Sequence, residues 1–113
     1  MVLLVSSDPT IVGMAGLVFR ALGYRISVAV RAEDAVALLT EDPPNVVLCE
    51  VDLPGLGGVE LTRRMRRITG GERTIVILIG DGIEPAGNAA DGYLRQPFDP
   101  MKAVELVETL SGA

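Results

Sequence analysis

Histidine and tryptophan are absent from the 113 residues, cysteine occurs once, at Cys49, and aromatics make up only 4% of the chain. These gaps remove whole classes of chemistry. Without histidine there is no Ser/His/Asp triad, no Cys/His nucleophile and no histidine-borne phosphotransfer, and one cysteine builds neither a disulfide framework nor a zinc site. No apolar run approaches the ~18 residues of a membrane span. The opening Met1-Val2-Leu3-Leu4-Val5 is too short for a signal sequence and lacks a basic leader. A cytoplasmic location is therefore expected, with Cys49 as a small core residue in a reducing compartment. Basic residues are also in the minority: 10 against 15 acidic ones gives a net charge of −5. That field opposes attachment to nucleic acid or anionic lipid, so the expected partners are proteins.

What is present is apolar matter, 49% of the chain. A domain of this size buries roughly two thirds of the surface its unfolded chain exposes, so one unit over 1–113 can hold a single core without staples. Four strand-sized, β-branched runs stand out: Val2–Val5, Ile26–Val30, Val46–Cys49 and Ile75–Ile79, with a weaker fifth at Tyr93-Leu94. They do not alternate apolar with polar residues, which predicts strands of a parallel sheet covered on both faces. Helical spacing fills the gaps at Pro9–Leu22, Glu33–Leu39, Val59–Ile68 and Pro100–Leu110. The fold class is α/β, a doubly wound five-stranded parallel sheet.

Asp8-Pro9 and Asp99-Pro100 each place a capping side chain before a proline at the first helical position, and Gly23 closes the first helix. The helical slot between the fourth and fifth strands is weak. Residues 81–92 carry three glycines and a proline, enough for about one or two helical turns at best.

In an open doubly wound sheet, ligands bind outside the carboxyl ends of the strands. Those ends offer Ser6-Ser7-Asp8, Glu50-Val51-Asp52, Gly80-Asp81 and Arg95-Gln96-Pro97. No glycine-rich phosphate loop follows the first strand, so nothing supports nucleotide binding. The stretch Glu50-Val51-Asp52-Leu53-Pro54-Gly55-Leu56-Gly57-Gly58-Val59-Glu60-Leu61 resembles the D-x-x-L/M-P-G-x-x-G-x-E-L segment of bacterial response-regulator receiver domains. Tyr93-Leu94-Arg95-Gln96-Pro97-Phe98-Asp99 resembles their Y-L-x-K-P-F-D signature, and Val2–Pro9 fits their opening strand and acidic turn. The resemblance implies the flavodoxin-like receiver fold, strand order 2-1-3-4-5, here with a shortened fourth helix.

It also implies a chemistry that this chain departs from. A receiver forms an acyl phosphate on an aspartate. An acidic pair after the first strand holds a bridging divalent cation, and a hydroxyl and a lysine after the fourth and fifth strands bond the phosphoryl oxygens. The corresponding positions are Glu50 for the nucleophile, Ser6 and Ser7 for the acidic pair, Ile79 for the hydroxyl and Gln96 for the lysine. All five are changed. Glutamate carries its oxygens one methylene farther out, and two neutral hydroxyls do not offset the dehydration of Mg²⁺. Neither cofactor nor metal is expected. Asp8 reads as a helix cap and Asp52 as a solvated loop carboxylate. Tyr93 aligns with the family's switch aromatic and, with no hydroxyl at position 79, is expected to stay in one position.

The first helix has one charge in fourteen residues. With Ile11, Met14, Ala15, Val18, Phe19 and Leu22 facing the sheet, the stripe Val12, Gly13, Gly16, Leu17 and Arg20 is left for a partner, because an apolar exposed stripe marks an interface. Together with Leu106 and Val107 of the final helix it is expected to form a homodimer or to dock another domain. Arg63, Arg64, Arg66, Arg67 and Arg73 hold half of the basic residues and form a weaker candidate surface for an acidic protein, partly neutralised by Glu60. The expectation is a phosphorylation-independent receiver acting as a protein-interaction module in bacterial signalling, not an enzyme. The alternative is a receiver phosphorylated by an unusual route near Glu50. A flavin-binding protein of the same topology would need a Ser/Thr-rich phosphate loop and stacking aromatics that this chain lacks.

Overall fold

The computed structural model describes residues 1–68 and 73–112. In chain order the elements are β1 (Val2–Val5), α1 (Pro9–Ala21), β2 (Ile26–Ala29), α2 (Ala32–Glu41), β3 (Val46–Glu50), α3 (Gly58–Arg66), β4 (Ile75–Gly80), β5 (Gly92–Arg95) and α4 (Pro100–Leu110). The strands form one sheet, β2-β1-β3-β4-β5, with every pairing parallel. Register is tight at the centre: Val2 faces Val46, and Val46 faces Ile75.

Because successive strand residues point to opposite faces, each continuous apolar run serves two cores at once. Leu3, Val5, Val47, Cys49, Val76 and Leu78 pack under α2 and α3 against Leu39, Leu61 and Met65. Val2, Leu4, Val46, Leu48, Ile77 and Ile79 pack under α1 and α4 against Phe19, Val104 and Val107. Fully burying a Val, Leu or Ile contributes about 1.5–3 kcal/mol, so these residues hold the sheet between its two helical layers. Burial, with a smaller contribution from Glu50, pushes the Cys49 thiol up to about 12. It stays protonated at neutral pH, and stability linked to it is lost only as pH rises from the unfolded thiol's range toward that value.

The helix starts follow the sequence. Asp8 Oδ1 accepts from Thr10 N at 2.9 Å and Asp99 Oδ1 from Met101 N at 2.9 Å, each ahead of a proline in the first turn. Gly23, at φ 91°, turns the chain out of α1. No described helix is long and apolar enough to cross a membrane.

Two expectations fail. The edge strand β2 is not covered on both faces, since Val28 and Val30 are exposed. The expected shortened helix between β4 and β5 does not form at all: residues 81–91 are a loop. Local side-chain bonds compete with helix there. Asn88 donates to the Pro85 carbonyl at 2.6 Å and to Glu84 Oε2 at 3.1 Å, and its own Oδ1 accepts from Ala90 N at 2.9 Å. Gly87 adopts φ 67°, which leaves the right-handed helical region altogether.

Candidate functional site

Strands β1 and β3 lie side by side, with Val5 opposite Cys49. Their next residues, Ser6 and Glu50, therefore meet at the carboxyl end of the sheet. The Ser6 hydroxyl donates to Glu50 Oε1, and the Ser7 backbone N–H donates to the same oxygen at 3.0 Å. Ser6 is buried and its hydroxyl in turn accepts from Asp8 N at 3.0 Å. A carboxylate is thus tied down by one hydroxyl and one amide, which together offset part of its desolvation.

The backbone around Glu50 is equally constrained. Val51 N donates to the Ile79 carbonyl at 2.8 Å and Gly58 N to the Val51 carbonyl at 2.9 Å. The first residue of α3 is a glycine for a steric reason: a Cβ on Gly58 would stand 2.1 Å from the Glu50 carbonyl oxygen and 3.1 Å from Cys49 Sγ. Asp52 is exposed, and Asp8 caps α1. Among the described residues no three Asp, Glu, Cys or His side chains converge as a cation site.

Ile79 is the register partner of Glu50, but its side chain is wholly buried among Leu4, Leu48 and Ile77 and does not reach the rim. The residue at the rim end of β4 is Gly80, placed at that strand end from the sequence but given no role there. A Cβ there would lie 2.6 Å from the Tyr93 hydroxyl. The half-buried Tyr93 ring occupies that space, and its hydroxyl donates to the Gly82 carbonyl at 2.6 Å. A glycine directly after a five-residue apolar run was the one available signal. Gln96 is brought to the same end of the sheet, its N–H donating to the Gly80 carbonyl at 2.8 Å.

The expected partner stripe on α1 is corrected. Gly16 is buried over Leu4, and Val12 is half-buried against the core, whereas Met14 and Leu22, assigned to the sheet side, are exposed. The helix is rotated by roughly 50° from the assumed orientation, because it packs against α4 as well as the sheet. Its outer face is Gly13, Met14 and Leu17, the last 70% exposed. Val107 is buried in the core and is no surface residue. Leu106, half-buried, lines a cavity of about 640 Å³ with Tyr93, Arg95, Phe98 and Lys102, none of them rim carboxylates or serines. The arginine cluster is also divided. The Arg66 side chain is only 20% exposed and is committed to Asp91 at 2.8 Å and to the Thr74 and Ala89 carbonyls. Glu60 forms no ion pair with Arg63 or Arg64, and its buried Oε2 has no hydrogen-bond partner among the described residues.

A family model described as the response regulator receiver domain matches residues 2–108. Protein Rrf1 of Nitratidesulfovibrio vulgaris is 31% identical over 109 residues, covering 95% of this chain and 79% of its own. The DNA-binding response regulator MtrA of Mycolicibacterium smegmatis is 28% identical, covering 94% of this chain and 48% of its own, so this chain spans about half the length of that relative. Among solved structures, a putative response regulator from Chloroflexus aurantiacus superposes with a TM-score of 0.90 at 26% identity, covering 99% of this chain and 97% of the other.

Proposed function

The chain belongs to the response regulator receiver domain family, and from that premise we propose that it serves two-component signalling without being phosphorylated, as a protein-interaction module and not as an enzyme. One observation carries the reading: Glu50 Oε1 is already engaged by the Ser6 hydroxyl and the Ser7 N–H. In a receiver that accepts phosphate, the groups at the end of β1 are anions that hold a cation against the attacking carboxylate. Here they are donors that hold the carboxylate itself. Glu50 becomes a fixed negative charge at the place where a phosphoryl group would put one.

The same electrostatics set an expected result with magnesium. Isothermal titration with Mg²⁺ should give no saturable binding below the millimolar range, since one carboxylate with two neutral neighbours does not repay the ion's dehydration. Micromolar binding would contradict the reading.

A module needs a contact surface, and the outer face of α1 supplies one in Gly13, Met14 and Leu17, with Met101 of α4 also exposed. We assign this face to a partner protein or to an output domain joined to the chain. Met14→Glu with Leu17→Glu is expected to abolish partner capture by more than tenfold while leaving the circular dichroism and melting curve unchanged. If the occupant is a second copy, the same pair of changes halves the mass in light scattering. Unaltered capture and unaltered mass would remove the assignment.

A further inference from the structure

We propose that copies of this chain associate head to tail, the Ile83 loop of one seating in the Pro43–Pro44 pocket of the next. Two unassigned features at opposite ends of the molecule fit each other. At the carboxyl end of β4, Ile83 is 97% exposed, the most exposed large apolar side chain among the described residues. It stands between Asp81 and Glu84. The loop presenting it is fastened at both sides: Gly82 by the Tyr93 hydroxyl at 2.6 Å, Pro85 and Glu84 by the Asn88 amide. An apolar side chain held out by a stapled loop has already lost the freedom that docking would otherwise remove.

At the amino end of the same strand, a cavity of about 510 Å³ is lined by apolar Pro43, Pro44, Ile75 and Leu110 and by polar Asn45, Ser111 and Arg73. Its wall is set by the Thr74 hydroxyl, which donates to the Pro44 carbonyl at 3.0 Å. Among the described residues no acidic side chain lines it. An apolar knob flanked by two carboxylates thus matches a socket whose two prolines, Ile75 and Leu110 offer apolar contact and whose Arg73 offers a guanidinium. Because β4 begins beside the socket at Ile75 and ends at Gly80, ahead of the knob, the two cannot meet within one copy. A two-fold pair in which each copy fills the other's socket is the closed alternative, and a plateau at dimer would report it. In the head-to-tail form proposed, the contact between different patches repeats from copy to copy and leaves an open end at each side. The net charge of −5 opposes the assembly and keeps it weak.

The experiment is analytical ultracentrifugation of the whole chain from micromolar to millimolar concentration. The wild type should show a weight-average mass that climbs continuously past that of a dimer. Ile83→Asp and Arg73→Glu, each folded by circular dichroism, should stay monomeric. The decisive arm mixes these two variants. Each retains the half the other lacks, so an equimolar mixture should form a one-to-one dimer and nothing larger. A wild type that remains monomeric, a plateau at dimer, or a mixture that stays monomeric overturns the proposal. Disruption by Met14→Glu with Leu17→Glu instead, with Ile83→Asp without effect, would assign self-association to α1 and also overturn it.

Discussion

Gly58→Ala is expected to lower stability by about 3 kcal/mol, the upper end of the usual cost of overpacking. Urea denaturation would read it directly, and in a domain of this size the melting temperature should drop by roughly 10–20 °C. The cause is confined to one contact. The new methyl would sit 2.1 Å from the Glu50 carbonyl oxygen and 3.0 Å from its carbon. Both are backbone atoms, so no rotamer change relieves the clash. Either α3 moves off the sheet, loosening Leu61 and Met65 in the core, or the end of β3 moves and carries Glu50 away from Ser6. The control is Gly13→Ala on α1, where a Cβ meets nothing within 4 Å. Here the helix gains about 0.5–1 kcal/mol, the ordinary difference between glycine and alanine in a helix interior. The same substitution at two helical glycines thus changes stability in opposite directions. A Gly58→Ala variant as stable as wild type would mean that the start of α3 does not rest on β3 as described.

Asp91→Ala should cost about 2–3 kcal/mol, the next largest effect, for a different reason. One carboxylate oxygen, Oδ2, accepts from Val76 N at 2.8 Å and from Arg66 Nη2 at 2.8 Å. The Asp91 backbone N–H meanwhile donates to the Val76 carbonyl at 2.8 Å. Asp91 therefore finishes the ladder at the start of β4 and joins the β4–β5 loop to α3 through Arg66. Removing it leaves a part-buried amide without its acceptor and takes one carboxylate away from the Arg66 guanidinium, and unmade bonds of this kind are costlier than the bonds are stabilising. The carboxylate side chain is 40% exposed, so solvent screens the ionic share and the amide carries most of the loss. Asp91→Asn, which keeps an oxygen for Val76 N and loses the charge, should recover about half. Equal losses in both variants would shift the weight to the ion pair.

The extent to which this architecture was readable from residue order follows from the range of the interactions involved. Parallel strands such as Val46–Glu50 declare themselves because burial on both faces demands an unbroken apolar run. The starts of α1 and α4 declare themselves because an aspartate followed by proline acts within one turn. The edge strand β2 declared itself as a strand but not its exposure, since apolar content alone does not say whether a helix covers it. The helix expected between β4 and β5 was lost to Asn88 and Asp91, whose bonds reach the Pro85 carbonyl and distant β4. The rotation of α1 depends on its packing against α4, far along the chain, and so Gly16 was misplaced. At the rim, Ser6, Ser7 and Glu50 could be named from motif positions. Their hydrogen bonding to one another, and the fit of Tyr93 over Gly80, belong to three-dimensional proximity that spacing alone does not encode.

The charge balance at that rim is the claim on which the functional reading stands, and intact-mass spectrometry tests it most directly. The chain is incubated with a small acyl-phosphate donor and Mg²⁺, beside a receiver that carries the full set of acidic and lysine groups. The control should gain one phosphoryl group, while this chain keeps its unmodified mass at every time point. A phosphoryl adduct on this chain that hydroxylamine removes would contradict the account.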